Sequence, residues 1–178
     1  MAKASQVVLL ENEFYLIKAP NGKVLEIKNF NTENGAVIRL WDYAGHPWQQ
    51  WQFVDAGEGR WRIRNRFTGK FIDLALGGVV EGTWLHQWGR TSGLSQCWEL
   101  ESTRNGRTRI RNVLAGKYID LVGMNTSNGA QAQIWNYVSG GNQEWNLVRV
   151  DPDTAQTSAR AEAVSYTHLR AHETEADL

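Results

Sequence analysis

A unit of 47 residues occurs three times in succession in this chain of 178 residues, with no insertion between the copies. Each copy has a Gly-Lys pair, an apolar-acidic-apolar triplet, an aromatic residue and a Gln-x-Trp triplet, in that order. The Gly-Lys pairs begin at Gly22, Gly69 and Gly116; the acidic triplets are 25–27, 72–74 and 119–121; the aromatic residues are Trp41, Trp88 and Trp135; the Gln-x-Trp triplets are 49–51, 96–98 and 143–145. A strict internal repeat indicates one structural unit that is built three times, with neighbouring units burying apolar surface against each other.

Within each copy, apolar and polar residues alternate over short stretches that are followed by turn-forming residues. The stretches are 15–18, 61–64 and 108–111, and the turns are Asn21-Gly22, Thr68-Gly69 and Ala115-Gly116. This pattern predicts strands joined by tight hairpins, with about four short strands in each copy. Three such copies close into a capped barrel that leaves no free edge, whereas a propeller needs at least four blades. We therefore expect an all-β fold of three 47-residue repeats, at about 14–60, 61–107 and 108–150.

The last part of the chain, residues 151–178, has a different composition. It contains none of the nine tryptophans and is rich in Ala, Thr and acidic residues. Its segment 164–174 also resembles translated sequencing-adapter read-through. We interpret 151–178 as a polar tail, disordered or in part artefactual, that lies outside a folded domain at 12–150.

Charge and cysteine content limit the expected partners and compartment. The 19 basic residues balance the 19 acidic residues, which argues against nucleic acid as a partner. The single cysteine cannot close an intramolecular disulfide, which favours a reducing compartment. The apolar run Val7–Leu10 is too short for a signal peptide or a membrane span. We expect a soluble protein, cytoplasmic or released without a signal peptide, that does not insert into membranes.

The repeated motifs resemble those of the ricin B-chain-type lectins, which have three Gln-x-Trp motifs and the β-trefoil fold. The resemblance covers about residues 12–150 and includes the Gly-Lys pair and the apolar-acidic-apolar strand of each repeat. It implies a β-trefoil that binds carbohydrate. The disulfide that often braces each repeat in secreted plant members is absent here, so their compartment is not carried over.

The tryptophan of each Gln-x-Trp motif is predicted to lie in the core. Trp51, Trp98 and Trp145 alternate in phase with an apolar residue two positions later, so both side chains of each pair point to one face. The resemblance implies the same role. The glutamines of these motifs are expected first to brace a loop or a nearby carboxylate, since a buried amide must find partners.

The acidic residue and the upstream aromatic residue of each repeat are the predicted sugar-binding pair. An acidic side chain between two apolar strand residues is expected to project away from the core as an exposed carboxylate, where it accepts hydrogen bonds from two adjacent hydroxyls. The aromatic residue, 15 positions later, is expected near the same patch, under the C–H face of a pyranose. The alternatives are an ordinary surface carboxylate and a packing tryptophan at the barrel rim.

The resemblance implies a fuller site in which the third repeat ranks first, the second ranks next and the first ranks last. The third-repeat residues are Asp120, Gln133, Trp135, Asn142 and Gln143; the second-repeat residues are Asp73, His86, Trp88 and Gln96; the first-repeat residues are Glu26, Trp41 and Gln49. In the first repeat the longer Glu26 and the neighbouring Arg39 are expected to spoil the pocket. Trp48 is expected either to occlude that pocket or to add a second platform.

Binding without catalysis is the favoured interpretation. The chain has no serine-elbow, zinc-protease or phosphate-loop motif, and its repeated carboxylates belong to three separate lobes, whereas a glycosidase needs two close together. We expect no catalytic residue, metal site or cofactor. The predicted partners are glycans or glycoproteins with galactose-type or related sugars, bound at up to three weak sites by avidity. A homo-oligomer is permitted. The alternative is a β-trefoil scaffold for protein interaction or protease inhibition that uses loops such as 75–83.

Overall fold

A computed structural model describes residues 8–151; residues 1–7 and nearly all of the predicted tail therefore lie outside the described residues. The structure has twelve strands in this range. They are β1 (Tyr15–Lys18), β2 (Val24–Ile27), β3 (Ile38–Trp41), β4 (Trp51–Gly57), β5 (Arg60–Asn65), β6 (Phe71–Leu74), β7 (Leu85–Trp88), β8 (Trp98–Ser102), β9 (Thr108–Asn112), β10 (Tyr118–Leu121), β11 (Ala132–Trp135) and β12 (Asn146–Arg149). Four strands fall in each repeat, which confirms the predicted β-trefoil.

Six short 3₁₀ helices, two in each repeat, connect these strands. One follows the acidic strand of each repeat and the other contains the Gln of the Gln-x-Trp motif. The first set is Lys28–Phe30, Ala75–Gly77 and Val122–Met124; the second set is Pro47–Gln49, Leu94–Gln96 and Gly141–Gln143. Among residues 8–151, no helix is long and apolar enough to cross a membrane.

Six of the strands pair around a barrel. β1 pairs with β4, β4 with β5, β5 with β8 and β8 with β9, while β12 pairs with β1. A bridge between Thr108 and Trp145 joins β9 to the residue that precedes β12. The last strand of each repeat thus pairs with the first strand of the next, so the three repeats are interlocked.

The other six strands form three hairpins, one in each repeat: β2–β3, β6–β7 and β10–β11. Each hairpin contacts the next through an antiparallel bridge. The bridges are Val37–His86, Trp84–Gln133 and Arg39–Gln131. The hairpins therefore form a closed triangular cap in which every repeat touches both others.

The core is organised by the three tryptophans of the Gln-x-Trp motifs. Trp51, Trp98 and Trp145 are at most 1% exposed. Each indole N–H donates a hydrogen bond to a backbone carbonyl 26 residues earlier, at Leu25, Ile72 and Ile119 respectively, over 3.0–3.2 Å. These tryptophans are core residues, as predicted, and each fixes the strand that carries the acidic residue of its own repeat.

The tight turns after the first strand of each repeat are confirmed at the predicted glycines. Gly22, Gly69 and Gly116 have φ of +93°, +71° and +68°. L-residues other than Asn and Asp rarely adopt this left-handed region, so glycine is the residue that these turns require.

Truncating a core tryptophan is expected to destabilise the barrel strongly. Trp145→Ala removes a fully buried ring and its hydrogen bond to the Ile119 carbonyl, so the free energy of unfolding should fall by about 3–5 kcal/mol. Urea denaturation of the full chain measures the change. Val148→Ala, at a side chain that is 39% exposed on the next strand, is the control and should cost less than about 1 kcal/mol. A Trp145→Ala protein with the parental denaturation midpoint would contradict the core assignment.

Candidate functional site

The glutamine of each Gln-x-Trp motif is fully buried and holds the acidic residue of its own repeat. In the third repeat, Gln143 Nε2 donates to Asp120 Oδ2 at 2.9 Å and to the Asn136 carbonyl at 2.8 Å. Its Oε1 accepts the backbone N–H of Val138 at 3.0 Å. Both ends of the buried amide therefore have partners, and the side chain braces a loop and a carboxylate at once.

The same amide contacts recur in the other two repeats. Gln49 Nε2 donates to Glu26 Oε1 at 3.0 Å, and Gln96 Nε2 donates to Asp73 Oδ2 at 3.0 Å. All three glutamines are 0% exposed. They are placed as positioning residues beneath the candidate sites, which agrees with the bracing role that the sequence suggested first.

The expectation that the acidic side chains are exposed is wrong. Glu26, Asp73 and Asp120 are only 3–7% exposed. The reason lies in the strands that carry them: all four residues of β2 and of β6 are buried, because the cap hairpins pack against the barrel on one side and against their own loops on the other. Each carboxylate thus lies at the base of a depression rather than on a surface.

The third repeat has an open cleft above its carboxylate. Its volume is about 590 Å³, and Asp120, Gln133, Trp135 and Asn142 all line it. Asn142 Nδ2 donates to Asp120 Oδ1 at 2.9 Å. The structure thus brings together four of the five residues predicted for this site, with Gln143 directly below.

The carboxylate of Asp120 is held by several hydrogen bonds in a poorly solvated place. Burial raises its pKa above the usual aspartate value, and hydrogen bonds from Gln143, Asn142, the Leu121 backbone and Gln133 partly offset that rise. A ligand hydroxyl that donates to this carboxylate would restore solvation that the fold has removed. The arrangement is suited to a neutral, hydroxyl-rich ligand.

The second repeat also has an acidic residue, Asp73, and an aromatic residue, Trp88, but it has His86 where the third repeat has Gln133. His86 stands opposite Asp73 in the hairpin and stacks on Trp88, with ring centroids 5.4 Å apart and planes at 26°. Burial lowers the pKa of His86, an effect that the nearby Asp73 charge opposes. Trp88 remains 38% exposed, so one part of the platform is still open.

In the first repeat, Arg39 contacts both the carboxylate and one face of the aromatic ring, which is 37% exposed. Its Nε donates to Glu26 Oε2 at 2.9 Å, and its guanidinium carbon lies 4.2 Å from the centroid of the Trp41 ring. Arg39 therefore neutralises Glu26 through an ion pair and also makes a cation–π contact that the sequence did not suggest.

Trp48 belongs to the packing of the first repeat and does not form a second platform. It is 5% exposed, stacks on His46 at 4.2 Å and contacts Phe30 at 5.1 Å between ring centroids. By the 47-residue period, these three aromatic residues stand where the third repeat has Asn142, Gly140 and Met124. Of the two roles expected for Trp48, occlusion agrees with this packing.

Gly82, which the sequence reasoning did not single out, lies at the third site although it belongs to the second repeat. A Cβ built on it would be 3.8 Å from both Trp135 Cζ3 and Gln133 Oε1. Gly129 lies in the same way near Trp41, at 3.9 Å. The repeat pattern could have identified this position, since Gly35, Gly82 and Gly129 also recur with the 47-residue period. The third and first candidate sites therefore lie at seams between repeats, whereas a Cβ on Gly35 would meet nothing within 4 Å.

Within residues 8–151, no group of three or more His, Cys, Asp or Glu side chains is arranged to hold a metal ion. The lone cysteine, Cys97, is buried and its Sγ faces the Gly93 carbonyl at 3.9 Å.

Comparison with known proteins adds a family and a set of similar structures. A family model described as ricin-type beta-trefoil lectin domain-like matches residues 6–88 and 94–174. The designed threefold-symmetric protein ThreeFoil is 31% identical with a TM-score of 0.75, over 77% of this chain and 99% of that one. An exo-beta-1,3-galactanase from Clostridium thermocellum is 31% identical with a TM-score of 0.77, over 80% of this chain. The match covers only 31% of the galactanase.

A more distant structure has the same fold. The ricin B-like lectin of Macrolepiota procera, solved in complex with lactose, is 23% identical with a TM-score of 0.68, over 82% of this chain and 100% of that one. At this identity the similarity shows the fold alone. No curated protein matches the chain.

Removing the third-repeat carboxylate is expected to cost stability, because Asp120 is buried and hydrogen-bonded. Asp120→Ala removes the acceptor of the Asn142 amide and one of the two acceptors of the buried Gln143 amide, so the free energy of unfolding should fall by about 1–3 kcal/mol. Thermal and urea denaturation measure it, with Glu33→Ala, at an exposed acidic residue, as the control. An Asp120→Ala protein as stable as the parent would show that these hydrogen bonds do not support the fold.

Proposed function

We propose that the chain, which belongs to the ricin-type beta-trefoil lectin domain-like family, is a non-catalytic carbohydrate-binding protein. The observation that carries the proposal is the third-repeat cleft. It combines a buried carboxylate, two amide side chains and a half-buried tryptophan, Trp135, in one depression of about 590 Å³. A pyranose has two faces of different chemistry, and this cleft offers an acceptor for its hydroxyls and an apolar ring for its C–H groups.

Galactose-type sugars are the ligands that we propose for this cleft. The lactose bound by the Macrolepiota procera lectin and the galactan cleaved by the Clostridium thermocellum enzyme both contain galactose, and both proteins have domains similar to this chain. Asp120 has two oxygens, and each already accepts one amide hydrogen bond. The carboxylate also accepts from the Leu121 backbone N–H and from Gln133, so a sugar hydroxyl would bind by replacing the Gln133 contact, and the Gln133 amide would then be free to bond the sugar itself.

The sites are ranked by how much of this chemistry is free. We propose the third repeat as the principal site, formed by Asp120, Gln133, Trp135 and Asn142 over Gln143. The second repeat, with Asp73, His86 and Trp88 over Gln96, is the weaker site. In the first repeat Arg39 already contacts both Glu26 and Trp41, so a sugar would have to displace a partly buried ion pair.

Repetition compensates for weak individual sites. A shallow site with a few hydrogen bonds and one stacked ring gains little over water, so affinity for a single sugar should be low. Two or more sites on one rigid barrel gain avidity on a glycoprotein with several terminal galactose residues. We propose residues 12–150 as the domain that does this.

The absence of turnover is proposed from how the carboxylates are used. Each acidic residue of the three repeats is bound to the buried glutamine of its own repeat, which leaves it as a fixed acceptor. Glycoside hydrolysis needs a second carboxyl group across the scissile bond to act as acid or base. Asn142 and Gln133, the polar neighbours of Asp120 in the cleft, are amides and cannot take that role.

A second candidate, a scaffold for protein interaction, is favoured by one observation. The loop at 75–83 exposes the apolar side chains of Leu76, Val79 and Val80, of which Leu76 is fully exposed. Surface apolar groups of this kind are common at protein interfaces. Competition distinguishes the two functions, because free galactose should block binding to a glycoprotein and should not block a protein interface.

The same substitution in different repeats should separate the principal site from the occupied one. Trp135→Ala is expected to reduce binding to a galactose-bearing glycoprotein by about tenfold or more, because it removes the apolar platform and leaves only one weaker site for avidity. Trp41→Ala is the matched control. One face of its ring is occupied by the Arg39 guanidinium and the partner carboxylate Glu26 is already ion-paired, so binding should remain within about twofold of the parent. Surface plasmon resonance measures both, with melting curves to show that each variant is folded. If Trp41→Ala loses binding and Trp135→Ala does not, the ranking of the sites is wrong.

Sugar binding at the third site is expected to weaken on mild acidification. Burial raises the pKa of Asp120, so this carboxyl takes up a proton at a higher pH than an exposed aspartate does, and it then loses an acceptor for the sugar. A raised pKa in the folded state means that the fold binds this proton more tightly than the unfolded chain. This group therefore stabilises the fold as the pH falls between the two pKa values, and binding should be lost before unfolding begins. Titrations with galactose across this range, with melting curves alongside, test the prediction. An affinity that stays constant down to the usual aspartate pKa of about 3.9 contradicts it.

A further inference from the structure

An exposed tryptophan from the second repeat lies in line with the carboxylate of the third-repeat site. Asp120 on β10 is paired with Gln133 on β11, and Gln133 is bridged to Trp84, which precedes β7 in the neighbouring hairpin. Residues paired directly across antiparallel strands project their side chains to the same face. Asp120, Gln133 and Trp84 therefore form one row that crosses the seam between two repeats.

Trp84 is an unusual residue for its position. Its side chain is 53% exposed, although tryptophan is the largest apolar side chain and the core tryptophans of this fold are fully buried. The equivalent positions of the other repeats are Val37, which is bridged to His86, and Gln131, which is bridged to Arg39. Among the rows that the described residues form across the three seams, the row with an aromatic side chain at this place is the one beside the open cleft.

The segment that carries Trp84 is fixed against the third site. The backbone N–H of Gly82 donates to the Ile134 carbonyl at 2.9 Å, and the Ile134 N–H donates to the Thr83 carbonyl at 3.0 Å. The Thr83 hydroxyl donates to the Val80 carbonyl at 2.8 Å, which tightens the turn before it. A ring held on such a backbone loses little further freedom when a ligand packs on it.

We propose that Trp84 is a second platform of the third-repeat site, which takes the next sugar of a galactose-containing oligosaccharide. The inference rests on the proposed carbohydrate-binding function and deepens it, because it assigns the site to a chain of at least two pyranoses. Asp120 and Gln133 hold the terminal sugar over Trp135, and the adjoining sugar lies against the exposed face of Trp84.

The distance between Asp120 and Trp84 agrees with one sugar at each of the two positions. Trp84 is two strands away from Asp120, which corresponds to about 10 Å at the usual distance between neighbouring strands. One pyranose does not extend across both positions, whereas two linked pyranoses do. Gln133 lies between Asp120 and Trp84 in this row, and its amide can bond the sugar hydroxyls on either side of the glycosidic linkage.

The experiment compares galactose with β-1,3-linked galactobiose and galactotriose on the full-length chain. Binding at the third site is followed by NMR through the indole N–H signal of Trp135, which reports on that site separately from the other repeats. The variants are Trp84→Val, which installs the residue of the equivalent first-repeat position, and Trp84→Phe, which keeps a ring. Val37→Ala, at the equivalent position beside the second site, is the control.

The parent should bind the longer sugars about fivefold more tightly than galactose, as expected for one added stacking contact. Trp84→Val should remove that preference and leave the affinity for galactose unchanged, Trp84→Phe should keep most of it, and Val37→Ala should have no effect. Equal preference for longer sugars in Trp84→Val and the parent overturns the second platform and leaves the proposed function standing. A parent that binds neither galactose nor the longer sugars overturns both.

Discussion

The hydrogen bonds that each Gln-x-Trp motif sends back across its own repeat are the interaction on which the rest of the structure depends. The indole of Trp145 reaches the Ile119 carbonyl and the amide of Gln143 reaches the Asp120 carboxylate, on adjacent residues of β10. One motif thus fixes both the position of a strand and the orientation of the acidic side chain on it. Since the indole is in the core and the carboxylate is at the base of the cleft, the motif joins barrel packing to ligand chemistry. A substitution that alters the core packing of the tryptophan is therefore expected to shift the carboxylate as well.

The three repeats show how one framework can hold three different surfaces. The glutamine contact to the acidic residue is retained in all of them, with Nε2 to carboxylate distances of 2.9–3.0 Å. The differences lie in the residue that faces the acid across the hairpin, which is Arg39, His86 or Gln133. A guanidinium neutralises the carboxylate and packs on one face of the ring, an imidazole stacks on the ring, and an amide hydrogen-bonds the carboxylate without neutralising it. In the proposed function, this one position in the hairpin determines how much of each candidate site is available to a ligand.

The sequence predicted the fold well because periodicity carries the information that the fold needs. The 47-residue repeat, the alternation in β1 and β9, and the phase of Trp51 with Phe53 all report on packing that each repeat makes in the same way. The exposure of Glu26, Asp73 and Asp120 was predicted wrongly, because alternation indicates a solvent face only where one side of a strand is free, and these strands are covered on both sides. The positions of Gly82 and Trp84 beside the third repeat were not predicted either, since contacts between repeats depend on how the hairpins meet. That geometry appears only once the triangle of bridges is formed.

The pairing of β1 with β12 has a consequence for how such a domain can be used. Tyr15 is aligned with Arg149, and the N–H of Val150 donates to the Phe14 carbonyl at 2.8 Å, so the two ends of the barrel leave it side by side. A polypeptide can enter and leave such a barrel at a single point, which permits its insertion into a surface loop of a larger protein. The barrel is also suited to circular permutation, because the junction of β12 with β1 is equivalent to that of β4 with β5 and that of β8 with β9. The order of the three repeats along the chain then depends on which of these three junctions contains the chain ends.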